Sequence, residues 1–193
     1  LEERKAVVEE HARIDALYRM TSGNVSGARM DLETYVQRYY LERILYAANR
    51  RFQEMSAGQF ELRMYDIEKA GEGKNRGLDL MVYSTVTGKE REVRTLSGGE
   101  SFQASLSLAL GLSDVIQAHA GGVRVDAMFI DEGFGSLDEE SRTRAVQVLQ
   151  ELSGGKRLIG IISHVTELKE EMGHKLVVKK GNGGSQVHWE IED

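Results

Sequence analysis

The spacing of apolar residues divides the chain into a helical first third, a β-rich middle and a final stretch in which strands and helices alternate. Residues 1 to about 20 are mostly charged, with a thin apolar seam at Val7, Ile14 and Leu17. A gap of seven followed by three suits paired coiled-coil positions, and an ordinary amphipathic surface helix accounts for it equally well over so short a stretch. Gly23 and Gly27 interrupt the pattern. A stronger helix is predicted over 29–55, where Leu41, Leu45, Ala48 and Phe52 recur at i, i+4, i+7 and i+11 and form one apolar face. Tyr35, Tyr39 and Tyr40, one to two turns earlier, are expected to pack rather than to contact a ligand. Arg50 and Arg51 could touch nucleic acid, although an arginine-rich helix end is more often simply solvated.

From Phe60 the period shortens to two. FELRMYDI alternates loosely, LDLMVYSTV follows the glycine-rich stretch 71–77, and Thr87-Gly88-Lys89 reads as a hairpin turn before EREVRTL. This predicts a small antiparallel region. A long apolar helix then begins near Glu100. Val125, Ala127, Met128, Phe129 and Ile130 form a near-continuous apolar run, the pattern of a strand buried on both faces of a sheet. A helix over about 139–152 and a second buried strand, Arg157 to Ser163, complete a strand–helix–strand unit, expected to be parallel and right-handed. Two short strands, Lys175 to Lys179 and Gln186 to Ile191, are expected around the glycine-rich turn 181–184.

Composition narrows the class. The 193 residues can bury one substantial core, or a core plus an appendage, and a charged fraction of 29% fits a water-exposed surface. A formal net charge of −6 argues against a generally basic DNA-coating module while allowing a local basic patch. With no cysteine there are no disulfides and no thiolate metal ligands, which points to a reducing cytosol. No signal peptide and no run of about 20 apolar residues is visible, so no membrane role is expected. Leu1 opens in mid-pattern, as in a fragment of a longer helix. There is no proline, and turns fall to glycine, asparagine and aspartate.

Three features carry candidate chemistry. Asp131 and Glu132 end the first apolar strand, and ligands of open α/β sheets sit just beyond such ends. Ser163-His164 closes the second strand, so neighbouring strand ends would bring His164 near the acids. Leu96-Ser97-Gly98-Gly99-Glu100 stands directly before the long helix. Ser97 and Glu100 have the spacing of a capping box. The two glycines leave main-chain N–H groups uncovered at the positive end of the helix dipole, which suits an anion. A cap alone would not ask for consecutive glycines, each costing about 1 kcal/mol of helix propensity.

LSGGESFQASLSLALGLSDVI, FIDEGFGSLDEE and the Ser163-His164 pair resemble, in order and spacing, the ABC-type ATPases, and among them the SbcC branch, the coiled-coil ATPase subunit of a bacterial nuclease. YVQRYYLERILYAANRRFQEMSAGQFEL resembles the helix leading into the head from the coiled coil. A head of SMC or RecN type shares the skeleton and would differ around Ser101-Phe102 and Glu132-Gly133-Phe134-Gly135. The third reading is a non-catalytic interaction module.

The SbcC resemblance implies an α/β fold, the C-terminal lobe of a P-loop NTPase head, with a mostly parallel sheet flanked by helices. Residues 1–55 would form a coiled-coil stub and the helices leading into the head, and 56–193 the lobe itself. The cofactors implied are ATP and Mg²⁺. Asp131 would hold Mg²⁺, Glu132 would activate the attacking water, and His164 would act as switch histidine on the γ-phosphate. Ser97, Gly98, Gly99 and Glu100 would bind ATP held mainly by the opposite subunit, and Asp138 would lie at the interface between heads. The implied partners are the N-terminal lobe of the same protein, a second head, a metallophosphatase-type nuclease and DNA, in the cytoplasm at the nucleoid. The phosphate-cradling motif G-x-x-x-x-G-K-S/T is missing: 154–157 lacks the first glycine and the hydroxyl residue, and 71–76 has the wrong spacing. The chain by itself is therefore expected to be inactive.

Overall fold

The computed structural model describes the main chain of residues 2–22, 31–66, 78–119, 125–154, 157–181 and 183–191. The breaks expected at Gly23 and Gly27, and the glycine-rich stretch 71–77, lie outside these residues. The chain divides into two compact units, Leu1–Arg124 and Val125–Asp193.

In the first unit α1 (Glu2–Thr21) precedes α2 (Leu32–Met55), β1 (Phe60–Met64), β2 (Leu80–Ser84), β3 (Lys89–Glu92), a 3₁₀ turn (Val93–Thr95) and α3 (Gly98–His119). α2 starts where the Asp31 carboxylate accepts the Thr34 N–H at 2.7 Å, an N-cap that satisfies one of the orphan donors of the first turn. It ends at Met55, where Ala57 and Gly58 take positive φ and the Gly58 N–H returns to the Gln53 carbonyl. Leu45, Ala48 and Phe52 are buried, as their spacing predicts. Leu45 and Phe52 meet Leu62 and Val82 from the sheet and Ala104 from α3. The sheet is antiparallel in the order β1–β2–β3, with Leu62 opposite Val82. Since α2 packs along both α3 and β1, residues 32–55 share one core with the sheet that follows them.

α1 keeps Val7, Ile14 and Leu17 exposed, so its apolar seam has no cover among the described residues. Tyr35, Tyr39 and Tyr40 are also exposed rather than packed into the core. Tyr39 accepts a hydrogen bond from Arg43, and Tyr40 meets His119 edge to face. Aromatic spacing on a helix marks a face, and here that face lies beside the apolar stripe rather than on it.

In the second unit β4 (Ala127–Asp131) leads through a 3₁₀ turn (Phe134–Ser136) to α4 (Glu139–Ser153) and β5 (Leu158–Ile162). A short α5 (Thr166–Glu170), not visible in the periodicity, precedes the hairpin β6 (His174–Gly181) and β7 (Gly184–Ile191). β4 and β5 pair in parallel, in register from Ala127 opposite Leu158 to Asp131 opposite Ile162. α4 lies against β5.

The fold is α/β, but among the described residues its parallel part is one strand pair, and the other three ladders are antiparallel. The expected burial of β4 and β5 on both faces is not found: Ile130 is buried, whereas Phe129 is 70% and Leu158 63% exposed. An apolar run records that a strand is destined for a covered sheet, not which stretch of chain covers it. No helix among the described residues is long and apolar enough to cross a membrane.

Candidate functional site: a helix tip and a strand-end acid–histidine pair

In the first unit the tip of α3 carries one set of candidates. The Ser97 N–H donates to the Glu100 carboxylate at 2.7 Å, and the Glu100 N–H donates to the Ser97 hydroxyl at 3.3 Å. This is the reciprocal capping box expected from the S-x-x-E spacing. Ser97 and Gly98 are exposed and Gly99 is half-buried, and the main-chain amides of the two glycines stand at the positive end of a 22-residue helix. Arg91 is the residue the sequence did not single out. From β3 its guanidinium reaches both Glu100 carboxylate oxygens, at 3.2 and 3.3 Å, and the Thr95 carbonyl at 2.7 Å. An arginine nine residues before its partner has no local spacing rule to announce it; the hairpin register makes the contact.

The second unit holds the other set. Because β4 and β5 run parallel and in register, their carboxyl ends lie side by side, with Asp131 opposite Ile162. The Glu132 N–H donates to the Ile162 carbonyl at 2.9 Å and extends the ladder one step past the strand. There the chain turns sharply. Glu132 has φ of 60° and Gly133 of 98°. A non-glycine residue in the left-handed region costs about 1–3 kcal/mol and persists only where its surroundings fix it, often at functional sites. Here the next residues close a 3₁₀ turn on the Gly133 carbonyl, and Phe134 is fully buried.

The turn aims the Glu132 side chain at His164. Nδ1 of His164 lies 3.0 and 2.9 Å from the two Glu132 carboxylate oxygens. A carboxylate can only accept, so Nδ1 carries the proton and Nε2 faces outward. Both side chains remain accessible, His164 at 80% and Glu132 at 49%. Beside them Ser163 shapes the exit from β5, its hydroxyl accepting the Val165 N–H at 3.1 Å. Asp131, Glu132 and His164 thus share one sheet edge, as their strand-end positions led us to expect.

Asp131 is exposed at that edge. Among the described residues no group of three or more acids, histidines or cysteines could hold a metal by itself. A single strand-end carboxylate such as Asp131 suits Mg²⁺, which keeps several waters and is commonly held by one or two carboxylates together with substrate phosphates. Asp138 opens α4: its carboxylate accepts the Ser141 N–H at 2.7 Å. That main-chain bond and then the Ser141 hydroxyl hold its pKa below the usual aspartate value; desolvation opposes them, and Arg144 and Arg142 add smaller lowering effects.

Comparison with known proteins gives a consistent result. The family model described as SbcC/RAD50-like, Walker B motif, matches residues 76–157. The chain is 48% identical over 183 residues to the SbcC subunit of the nuclease SbcCD from Vibrio cholerae, covering 95% of this chain and 18% of that protein. It is 47% identical over 179 residues to the SbcC subunit of Lactococcus lactis, covering 90% of this chain and 17% of that one. The chain therefore spans less than a fifth of the length of these curated relatives. Among solved structures, an Smc head domain from Pyrococcus furiosus bound to the C-terminal domain of ScpA aligns with a TM-score of 0.62 at 17% identity, over 97% of this chain and 42% of that one. A chain from work on ATP-driven dimerization of SMC ATPases aligns with a TM-score of 0.62 at 15% identity, over 81% and 88%. At those identities the likeness is one of fold.

Proposed function

The chain belongs to the SbcC/RAD50-like family, in the part that carries the Walker B motif, and from that premise we propose that it supplies the C-terminal half of an ATP-hydrolysing head. The observation that carries this reading is the Glu132–His164 contact at the ends of paired parallel strands, next to Asp131. Each residue then has work its chemistry suits. Asp131 would hold Mg²⁺, which would supply charge neutralisation on the phosphates. Glu132 takes a position from which its carboxylate orients and deprotonates the attacking water. His164 holds Glu132 through Nδ1 and turns the other edge of its ring to a phosphate oxygen. Phosphoryl transfer needs mainly positioning and charge stabilisation, and that is what these groups provide.

The tip formed by Ser97, Gly98, Gly99 and Glu100 serves the other subunit: the Gly98 and Gly99 amides, outside the Ser97–Glu100 capping box, receive the γ-phosphate of ATP held across a head-to-head dimer. Asp138, fixed at the start of α4, lies at that interface. The phosphate cradle comes from the N-terminal lobe of the same protein, which also covers the bare faces of β4 and β5. By itself the chain does not turn over ATP. Assembled, the head controls a metallophosphatase-type nuclease acting on DNA ends, in the cytoplasm at the nucleoid.

The test is ATP turnover by the full-length protein with Glu132→Gln. The amide keeps the shape and removes the base, so turnover should fall by about two orders of magnitude or more, in the range expected for loss of a general base. Normal turnover would remove Glu132 from the catalytic role.

A further inference from the structure

We propose that Arg91 is a positioning residue for the γ-phosphate: it cancels the charge of Glu100 and clamps the α3 tip. The proposal rests on the ATPase reading above and goes beyond it, since Arg91 belongs to none of the motifs that support that reading. Glu100 poses a difficulty at an anion site. Its carboxylate receives the Ser97 N–H at 2.7 Å, so a full negative charge sits within one helical turn of the amides that would receive a phosphate. Unopposed, that charge would repel the ligand the tip is meant to hold. At a few ångströms and the effective dielectric of a protein surface, such repulsion is large enough to change binding by roughly tenfold.

Arg91 answers this directly. One guanidinium nitrogen lies 3.2 and 3.3 Å from the two Glu100 oxygens. The other donates to the Thr95 carbonyl at 2.7 Å. The fork therefore holds the loop on both sides of Ser97: at Thr95 before it and at Glu100 after it. Lysine, with a single point of attachment, could supply the charge but not both holds. Arg91 is itself held in place. It lies on β3 opposite Val82, and its guanidinium carbon stands 5.5 Å from the centre of the Phe60 ring. The grip is thus fixed by the β-sheet rather than by the loop it restrains. Arg91 and Glu100 are only 36% and 27% exposed, which limits screening of the pair by salt.

The experiment uses the full-length protein and follows ATP-dependent head dimerisation and steady-state hydrolysis, with the melting temperature as a check on folding. Arg91→Gln should raise the ATP concentration for half-maximal dimerisation by about tenfold and leave the rate at saturating ATP within about threefold. Adding Glu100→Gln to Arg91→Gln should recover most of that loss, because the amide still accepts the Ser97 N–H and carries no charge. Loss of a merely structural contact would not be repaired by removing a second one. An unchanged half-maximum in Arg91→Gln, or a double variant no better than the single one, overturns the proposal. If Arg91→Gln fails to fold, Arg91→Lys decides: an intermediate rise of a few-fold supports the clamp and an unchanged value refutes it. A wild-type protein that does not dimerise with ATP overturns the ATPase reading and this proposal together. A normal wild type with an indifferent Arg91 overturns only the latter.

Discussion

Gly111, in the middle of α3, tests how tightly the tip-bearing helix is joined to α2. A Cβ placed on Gly111 would lie 2.7 Å from the Ile44 carbonyl oxygen, 2.9 Å from the Ala48 nitrogen and 3.1 Å from the Ala48 Cβ. All three belong to α2, and two are main-chain atoms that no rotamer change can move. Gly111→Ala in an isolated helix would gain about 1 kcal/mol of propensity. In this crossing the helices must instead separate by several tenths of an ångström, around Ala48, which is fully buried. Overpacking of a close-packed contact costs about 1–3 kcal/mol, which exceeds the propensity gain over most of its range. A net loss of up to about 2 kcal/mol is expected, read by urea denaturation as a lower midpoint at unchanged slope. Gly111→Val should be worse, because its branches enlarge the clash and it lacks alanine's helix propensity. Stabilisation by Gly111→Ala would show that the helices do not approach this closely and would refute the reasoning.

Two further changes probe other joints. The Asn49 side chain on α2 spans the edge of β1, accepting the Leu62 N–H and donating to the Leu62 carbonyl, both at 2.8 Å. Asn49→Ala leaves both groups unpaired beside the buried Leu62 side chain and should cost about 1–3 kcal/mol in chemical denaturation, while a neutral result would mean that water replaces the amide. Asp138 has a folded pKa below its unfolded value, so its contribution to stability is complete above the unfolded pKa and is lost as pH falls through the folded one. The stability advantage of wild type over Asp138→Asn should therefore be flat near neutral pH and shrink in acid; an advantage that grows in acid would contradict the assigned cause.

What could be read in advance was local. The S-x-x-E spacing foretold the reciprocal bonds of Ser97 and Glu100 because a capping box spans a single helical turn. Asp131, Glu132 and His164 could be placed together because parallel neighbours align their carboxyl ends, whatever the rest of the sheet does. The left-handed turn at Glu132 was not legible, since a glutamate does not announce positive φ and only Gly133 hinted at a turn. Nor was the arginine grip on Glu100, which depends on strand register, or the close approach at Gly111, which looks like any other glycine in an apolar helix. The exposed Phe129 and Leu158 show a further limit of pattern reading. Their apolarity predicts cover, and that cover is not among the described residues.

The central claim is that this chain carries the acids and histidine of an ATP site whose phosphate cradle lies elsewhere in the same protein. The most direct test is light scattering of full-length Glu132→Gln in Mg-ATP, beside the 193-residue chain alone under the same conditions. The expected result is a long-lived dimer of the full-length variant that forms only with ATP and decays far more slowly than that of wild type, and neither hydrolysis nor nucleotide response from the chain alone. A full-length variant that cycles like wild type, or hydrolysis by the chain alone, would contradict it.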